Sequence, residues 1–449
     1  MTTERYDLIV LGAGMAGLTV ARRVAKTGRR VAIIDVRPYG GTCALRGCDP
    51  KKVLVGAAEI VDRAVRMRGH GIEGTPAIAW AELMAFKRTF TEPVPDRLDS
   101  TLRAAGVTTV RGAARFVGTD TLGVEGHVME AASIVVAVGS RPRTLTFEGA
   151  EHVVTSTAFL DLERLPRRIA FIGGGYVSLE FAHIAVRAGA EVTVLHRGAR
   201  VLSGFDPRLV DILVEASRGV GVAIETYRDV TRVEATVEGL TVHATGGPPL
   251  PVDLVVHGAG RVPELDDLDL EAGGVAFDPN RGVLVDQHLR STTNPTVYAA
   301  GDAAATDGWP LTPVAVHEAF VVASNVLGAE PAAVPNYAGT PSVVFTLPAL
   351  ARVGLLESEA RDRGLDVVVR HRRTEDWYSA RRTNQRFAGF TVVEDRATGH
   401  ILGAHLLGDH AADAINMFAL AVRHGLRARD LKTSILVHPS DASDVAYMV

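Results

Sequence analysis

One local pattern occurs twice in this chain and limits its fold more than any other feature. Tyr6-Asp7-Leu8-Ile9-Val10-Leu11 reads as a buried parallel strand, followed by the turn Gly12-Ala13-Gly14-Met15-Ala16-Gly17. A helix is expected to about Lys26, stopped by Gly28, and a second strand from Arg30 to Ile34 closes on Asp35. The pattern returns as the strand Arg168–Ile172, the turn Gly173-Gly174-Gly175-Tyr176-Val177-Ser178, a helix to about Ala188 and a strand from Glu191 to Leu195. Each is a βαβ unit whose first turn is built for a dinucleotide. The first glycine makes the tight turn and the second lets a pyrophosphate reach the helix N-terminus. The third lets helix and strand pack closely. Ser178 stands at the third position of the second unit and is small enough for the same packing.

The two units differ where the second strand ends. In the first, Asp35 suits a pair of ribose hydroxyls, so Gly12, Gly14, Gly17 and Asp35 read as the adenosine end of an FAD site. In the second, that place holds His196-Arg197, with Arg200 close behind. An arginine there accommodates a 2′-phosphate through charge-assisted hydrogen bonds. Gly173, Gly175, Arg197 and Arg200 therefore point to NADPH, with NADH the alternative.

The only two cysteines lie just after the first unit, in Gly40-Gly41-Thr42-Cys43-Ala44-Leu45-Arg46-Gly47-Cys48-Asp49-Pro50-Lys51-Lys52. A helix is expected to begin near Cys43 and run toward Val53-Leu54. Sulfurs near its first turn would feel its positive end, which favours thiolate. The spacing, the glycines and the preceding unit together read as a redox-active disulfide fed by a flavin. Two cysteines in 449 residues are too few for a secreted disulfide scaffold. A formal net charge of −4 gives no reason to expect nucleic-acid or membrane-surface binding. No apolar run reaches the roughly 20 residues of a membrane span. The polar stretch Thr2 to Tyr6 leads straight into a strand, so a cytoplasmic protein is expected, with no metal site.

Between the units, helical stretches are expected at about Val53 to Met67 and Trp80 to Leu102, with short strands near Thr109-Val110 and Ile134 to Ala137. Val138-Gly139-Ser140-Arg141-Pro142 turns toward the second unit, and Gly260-Arg261-Val262-Pro263 turns back. Val297-Tyr298-Ala299-Ala300-Gly301-Asp302 reads as a strand ending beneath a cofactor, where Asp302 would bond a ribityl hydroxyl; a helix from about Ala315 to Leu327 follows. From Pro341 the character changes to α+β. Strands are expected at Val343–Phe345, Val367–Val369, Ala388–Val393 and Ile401–Leu406, and helices at Ala411–His424 and Ala428–Lys432. The fold class is thus α/β, with two Rossmann-like dinucleotide-binding domains plus a C-terminal α+β domain.

Together these residues resemble the flavoprotein disulfide reductases. The motif Gly-Gly-Thr-Cys-x4-Cys-x-Pro-Lys is met by Gly40 to Lys51, with Gly41 and Thr42 in the cofactor-binding part. Gly301-Asp302 with Leu311-Thr312-Pro313-Val314-Ala315 is similar to the family's second FAD motif. Phe345-Thr346-Leu347-Pro348 is similar to the start of its dimerisation domain. The resemblance implies residues 1–149 and 267–333 as the two parts of an FAD domain, 150–266 as an NAD(P)H domain and 334–449 as a dimerisation domain. It implies a homodimer that reduces a small-molecule disulfide. Cys48 would face the flavin and Cys43 would be the interchange thiol. Lys51 and Glu180 would form an ion pair beside the reactive flavin nitrogen, Tyr176 would cover the nicotinamide pocket, and His438 would be the acid–base group serving the partner subunit's Cys43.

Several positions depart from the family. Ser443 stands where a glutamate normally orients the histidine, flanked by Asp441 and Asp444. Leu45-Arg46 and Asp49 replace the usual uncharged residues of the disulfide loop; Arg46 should favour a thiolate and Asp49 oppose one. Met15 and Phe320 stand where glutathione reductases carry a small polar residue and an arginine, which argues against glutathione, although Arg22 is kept. No further cysteine pair exists for mercuric or larger thioredoxin reductase chemistry. Dihydrolipoamide dehydrogenase usually has an acid at His196. The alternatives are a diaphorase or quinone reductase with a vestigial disulfide, dihydrolipoamide dehydrogenase itself, and a redox-sensing partner protein.

Overall fold

In a computed structural model the chain divides into two compact units. The structure describes residues 3–328, 330 and 332–449; Thr2 of the polar N-terminal stretch, and residues 329 and 331, lie outside the described residues.

The first unit comprises Met1–Pro50, Phe86–Arg143 and Gly260–Tyr337. Its central strand, Glu4–Leu11, pairs in parallel with Val31–Asp35 on one side and His127–Val136 on the other. Val107–Arg111 extends the sheet beyond Val31–Asp35, and Val297–Ala299 joins His127–Val136, also in parallel. Leu8, Ile9 and Val10 are fully buried, as a strand covered on both faces requires. The helix Met15–Ala25 packs against helix Thr312–Val326 through one apolar cluster that includes Leu18, Ala21, Ala319 and Val322.

The second unit comprises Lys51–Ala85, Thr144–Ala259 and Ala338–Val449. Its parallel sheet runs Val222–Thr226, Glu191–His196, Arg168–Ile172, Leu254–His257, Val154–Thr155. Helix Tyr176–Arg187 covers one face, and its Phe181 packs in the core on Phe159, which in turn packs on Phe171. A five-stranded antiparallel sheet, Ser342–Val344, Ala349–Gly354, Ile401–Gly408, Gly389–Asp395, Val367–Arg373, carries helix Ala411–His424 on its apolar side.

Both βαβ units and the change to antiparallel strands thus agree with the fold class expected. Four details differ. The cysteine helix is two helices, Gly41–Arg46 and Cys48–Arg66, broken at Gly47, where a Cβ would lie 2.9 Å from the Thr42 carbonyl oxygen. The stretch Trp80 to Leu102 is also two helices, Trp80–Thr91 and Val94–Ala104, parted at Glu92-Pro93 because the proline has no N–H to continue the first. Strand Ala349–Gly354 was not expected, since Ala-Leu-Ala-Arg-Val-Gly is poor in β-formers; its partners on both sides create it. The chain closes in a helix, Asp441–Met448, whose N-cap Ser440 accepts from the Ser443 N–H at 3.2 Å.

Candidate active site: a thiol pair and two nucleotide turns

The first glycine turn is a bare cradle. Gly12 has φ +97°, and a Cβ on it would lie 2.4 Å from the Ala137 carbonyl oxygen. Gly17 abuts the Gly12 carbonyl, and Gly41, at φ +64°, would put a Cβ 2.6 Å from the Gly14 Cα. Only glycine allows these approaches. Gly14 caps helix Met15–Ala25 without a side chain, and no acid occupies its first turn. The helix N–H groups and positive end are left for an anion. Asp35 is fixed by the Ala13 N–H at 2.7 Å and the Arg37 N–H at 2.8 Å, one on each oxygen, with lone pairs to spare for ribose hydroxyls. Among the described residues the buried Nε of Arg37 finds no hydrogen-bond partner. These residues fit the adenosine diphosphate half of FAD. Gly301, at φ +69°, donates its N–H to Glu318 at 2.6 Å, and Asp302 accepts from the Ser140 hydroxyl at 2.7 Å just after Gly139, φ +75°.

In the same unit the sulfurs meet helix Thr312–Val326. The Thr312 hydroxyl lies 3.5 Å from Cys48 Sγ, at the first residue of that helix. Both cysteines are free thiols. The Cys43 thiol is held well above its ordinary pKa, first by its hydrogen bond to Cys48, then by burial and the charge of Cys48; Asp49, 4.0 Å away, adds to the rise. These influences oppose the helix-end effect expected from sequence. Arg46 is half-buried, and its own pKa is lowered by burial and by the charge of Arg37. Thr312 was a motif residue in the sequence reading and not a site residue. A threonine opening a helix before proline was the available signal. Phe320, in the same helix, packs its ring 4.9 Å from the Arg23 guanidinium.

In the second unit the turn is equally bare. A Cβ on Gly173, φ +103°, would strike the Gly258 carbonyl oxygen at 2.5 Å. Gly175 caps helix Tyr176–Arg187 with no side-chain bond and no acid in the first turn. Tyr176 hydrogen-bonds Ser342 through its hydroxyl at 2.7 Å, and burial raises its pKa. One turn later Glu180, 3% exposed, takes the Lys51 ammonium at 2.6 Å and the Phe345 N–H at 2.8 Å. Lys51 lies 5.0 Å from the Phe345 ring centre. His183, fully buried, accepts the Leu347 N–H at 3.1 Å, so one helix face pins Phe345 and Leu347. Removing one partner of so enclosed an ion pair leaves a charge unanswered. Glu180→Ala should cost about 3–5 kcal/mol in urea unfolding, with Glu180→Gln milder.

The two arginines of this unit part company. Arg200 is engaged by Asp211 and the Pro207 carbonyl. Arg197 is exposed, and among the described residues its side chain makes no hydrogen bond or ion pair. Near the C-terminus, His438 is exposed, and its Nδ1 lies 3.4 Å from the Ser443 hydroxyl. That hydroxyl donates to the Ser440 carbonyl at 2.6 Å. Its proton is thereby used, so Nδ1 is the donor and Nε2 keeps the lone pair. Asp441 lies beside Arg382 and His410, and Asp444 accepts from Ser379, so neither acid takes the orienting place; Ser443 does.

Comparison with known proteins gives the family. Residues 6–319 match the family model of the pyridine nucleotide-disulphide oxidoreductases, and residues 340–448 match that family's dimerisation domain. The chain is 34% identical to a glutathione reductase of Burkholderia cepacia over 98% of its length and 97% of the relative's. It is 31% identical to a dihydrolipoyl dehydrogenase of Geobacillus stearothermophilus, over 97% and 93% of the two chains. Among solved structures it is similar to the HOCl-induced flavoprotein disulfide reductase RclA of Escherichia coli in a Cu(II) complex, with TM-score 0.89 and 26% identity over 100% of this chain and 99% of that one. Among the described residues no helix is long and apolar enough to cross a membrane. The chain therefore belongs to the pyridine nucleotide-disulphide oxidoreductases, enzymes that use FAD and NAD(P)H, and carries their dimerisation domain.

Proposed function

We propose that this protein is a cytoplasmic homodimer that reduces a small-molecule disulfide with NADPH through Cys43 and Cys48. The observation that carries this reading is the thiol pair itself: two sulfurs coupled by a hydrogen bond, touched by Thr312, in the unit with the FAD-type turn. FAD, when bound, supplies the hydride-to-dithiol conversion that side chains cannot perform. The residues assigned to hold it are Gly12, Gly14, Gly17, Asp35, Gly41, Thr42, Gly139, Gly301 and Asp302. Gly173, Gly175, Tyr176 and Arg197 are assigned to the coenzyme, with Arg200 backing their loop. The domain limits implied by the resemblance stand with this reading, as do the roles of Lys51 and Glu180 as the flavin's ion pair.

The dithiol does its work in two exchanges. Cys43, deprotonated by His438 of the other subunit, attacks one substrate sulfur, and the substrate's disulfide breaks as a Cys43–substrate disulfide forms. The leaving thiolate takes its proton back from the histidine. Cys48 then gives up its proton and attacks Cys43, restoring the Cys43–Cys48 disulfide and releasing the second substrate sulfur as a thiolate that takes up that proton. One NADPH and one proton are consumed for two thiols formed.

The reading is tested by steady-state reduction of a panel of low-molecular-weight disulfides, including glutathione disulfide and lipoamide, with each coenzyme. Cu(II) belongs in the panel because RclA is known as a Cu(II) complex. A disulfide reduced at least about tenfold more efficiently with NADPH than with NADH is expected from the open Arg197. Turnover of quinones alone, at equal rates with both coenzymes, would sink it.

A further inference from the structure

Tyr227 follows directly on the strand Val222–Thr226, at the carboxyl edge of the parallel sheet where such folds bind their ligands. Its backbone is left-handed, φ +58°, an uncommon and costly conformation for a bulky residue. Its side chain is 67% exposed, and among the described residues it stacks on no other ring. The strain is held in place from both sides. The Tyr227 N–H donates to the Gly198 carbonyl at 3.1 Å, the next residue's N–H donates to the His196 carbonyl at 2.9 Å, and the Thr245 hydroxyl donates to the Tyr227 carbonyl at 3.2 Å. The Tyr227 backbone is thus fixed beside the loop 196–200, with its aromatic side chain left exposed.

That loop is held by a histidine instead of an acid. His196 Nδ1 accepts the Gly174 N–H at 3.2 Å, and Nε2 reaches the Arg200 carbonyl at 3.0 Å. In the first unit the matching bond is made by the Asp35 carboxylate to the Ala13 N–H. His196 does the acid's structural work without its charge, since burial holds its pKa below the usual histidine value. Gly198 passes tightly beside the imidazole; a Cβ there would lie 2.8 Å from Nε2. The open groups at this edge are the Arg197 guanidinium and the Tyr227 ring.

We propose that Tyr227 is a wall of the coenzyme's adenosine pocket, stacking its ring on the adenine while Arg197 meets the 2′-phosphate. The inference rests on the coenzyme assignment above. A half-apolar ring carried on a fixed backbone has only two side-chain torsions to settle on stacking, and any π-face suits it.

The test is calorimetric titration of the FAD-loaded protein with 2′,5′-ADP and 5′-AMP. Tyr227→Gly is expected to weaken 2′,5′-ADP about tenfold while the thermal midpoint holds or rises, because glycine adopts this backbone freely. Tyr227→Phe should bind as the parent does. Should the glycine variant melt lower, Tyr227→Leu decides, since it keeps the bulk and removes the flat ring: lost affinity supports the stack. Parental affinity in Tyr227→Gly, or in Tyr227→Leu where that variant decides, overturns it. A parent that binds neither nucleotide overturns the coenzyme assignment itself, which is a separate failure.

Discussion

Cys43→Ser is expected to lower disulfide turnover by on the order of a thousandfold or more, with FAD still bound. A serine hydroxyl is a far weaker nucleophile and forms no disulfide with substrate. The cradle at Gly12, Gly14 and Gly41 is backbone, and Asp35 is held by backbone N–H groups, so none of it depends on the sulfur. The measurement is the kcat for the best disulfide, beside the flavin content of the purified variant. Unchanged turnover would remove Cys43 from the mechanism. Oxidation of NADPH by quinones should survive, because it asks nothing of Cys43.

His438→Ala should lower the same turnover by about 10²–10⁴-fold. Cys43 is the reason. Its hydrogen bond to Cys48, its burial and the Cys48 charge all raise its pKa, so attack on a disulfide is served by a base. With Nδ1 committed to Ser443, His438 presents Nε2 for that task. The loss should fall on one half of the cycle only. Stopped-flow mixing of oxidised protein with NADPH should show thiols forming at the parental rate, and re-oxidation by the disulfide substrate should be slow. Equal slowing of both halves would count against an acid–base role. Ser443→Ala should give a smaller loss of the same kind, since it frees the ring without removing it.

Much of this arrangement was legible in the sequence, and the reasons are local. Both dinucleotide turns are written in consecutive residues, and glycine at a left-handed or crowded position cannot easily be replaced, as Gly12 and Gly173 show. Helix Ala411–His424 was readable to the residue because its apolar face is periodic and Gly425 ends it. What failed depended on partners distant in the chain. Ala349–Gly354 is a strand because Ser342–Val344 and Ile401–Gly408 flank it. The ion pair of Arg200 with Asp211, eleven residues on, was equally invisible. The break at Gly47 and the contact of Thr312 with Cys48 turn on distances of 2.9 and 3.5 Å that no spacing rule encodes. Ser443 was visible as a departure, but its use of the Ser440 carbonyl, which sets the His438 tautomer, needed the cap geometry.

The account's central claim is that electrons from the pyridine nucleotide arrive on Cys43 and Cys48. The most direct test is anaerobic: oxidised protein is mixed with one equivalent of NADPH, quenched with iodoacetamide and analysed by peptide mass spectrometry. The account predicts no alkylation before NADPH and alkylation of both Cys43 and Cys48 after it. NADPH consumed with neither cysteine becoming alkylated would contradict it.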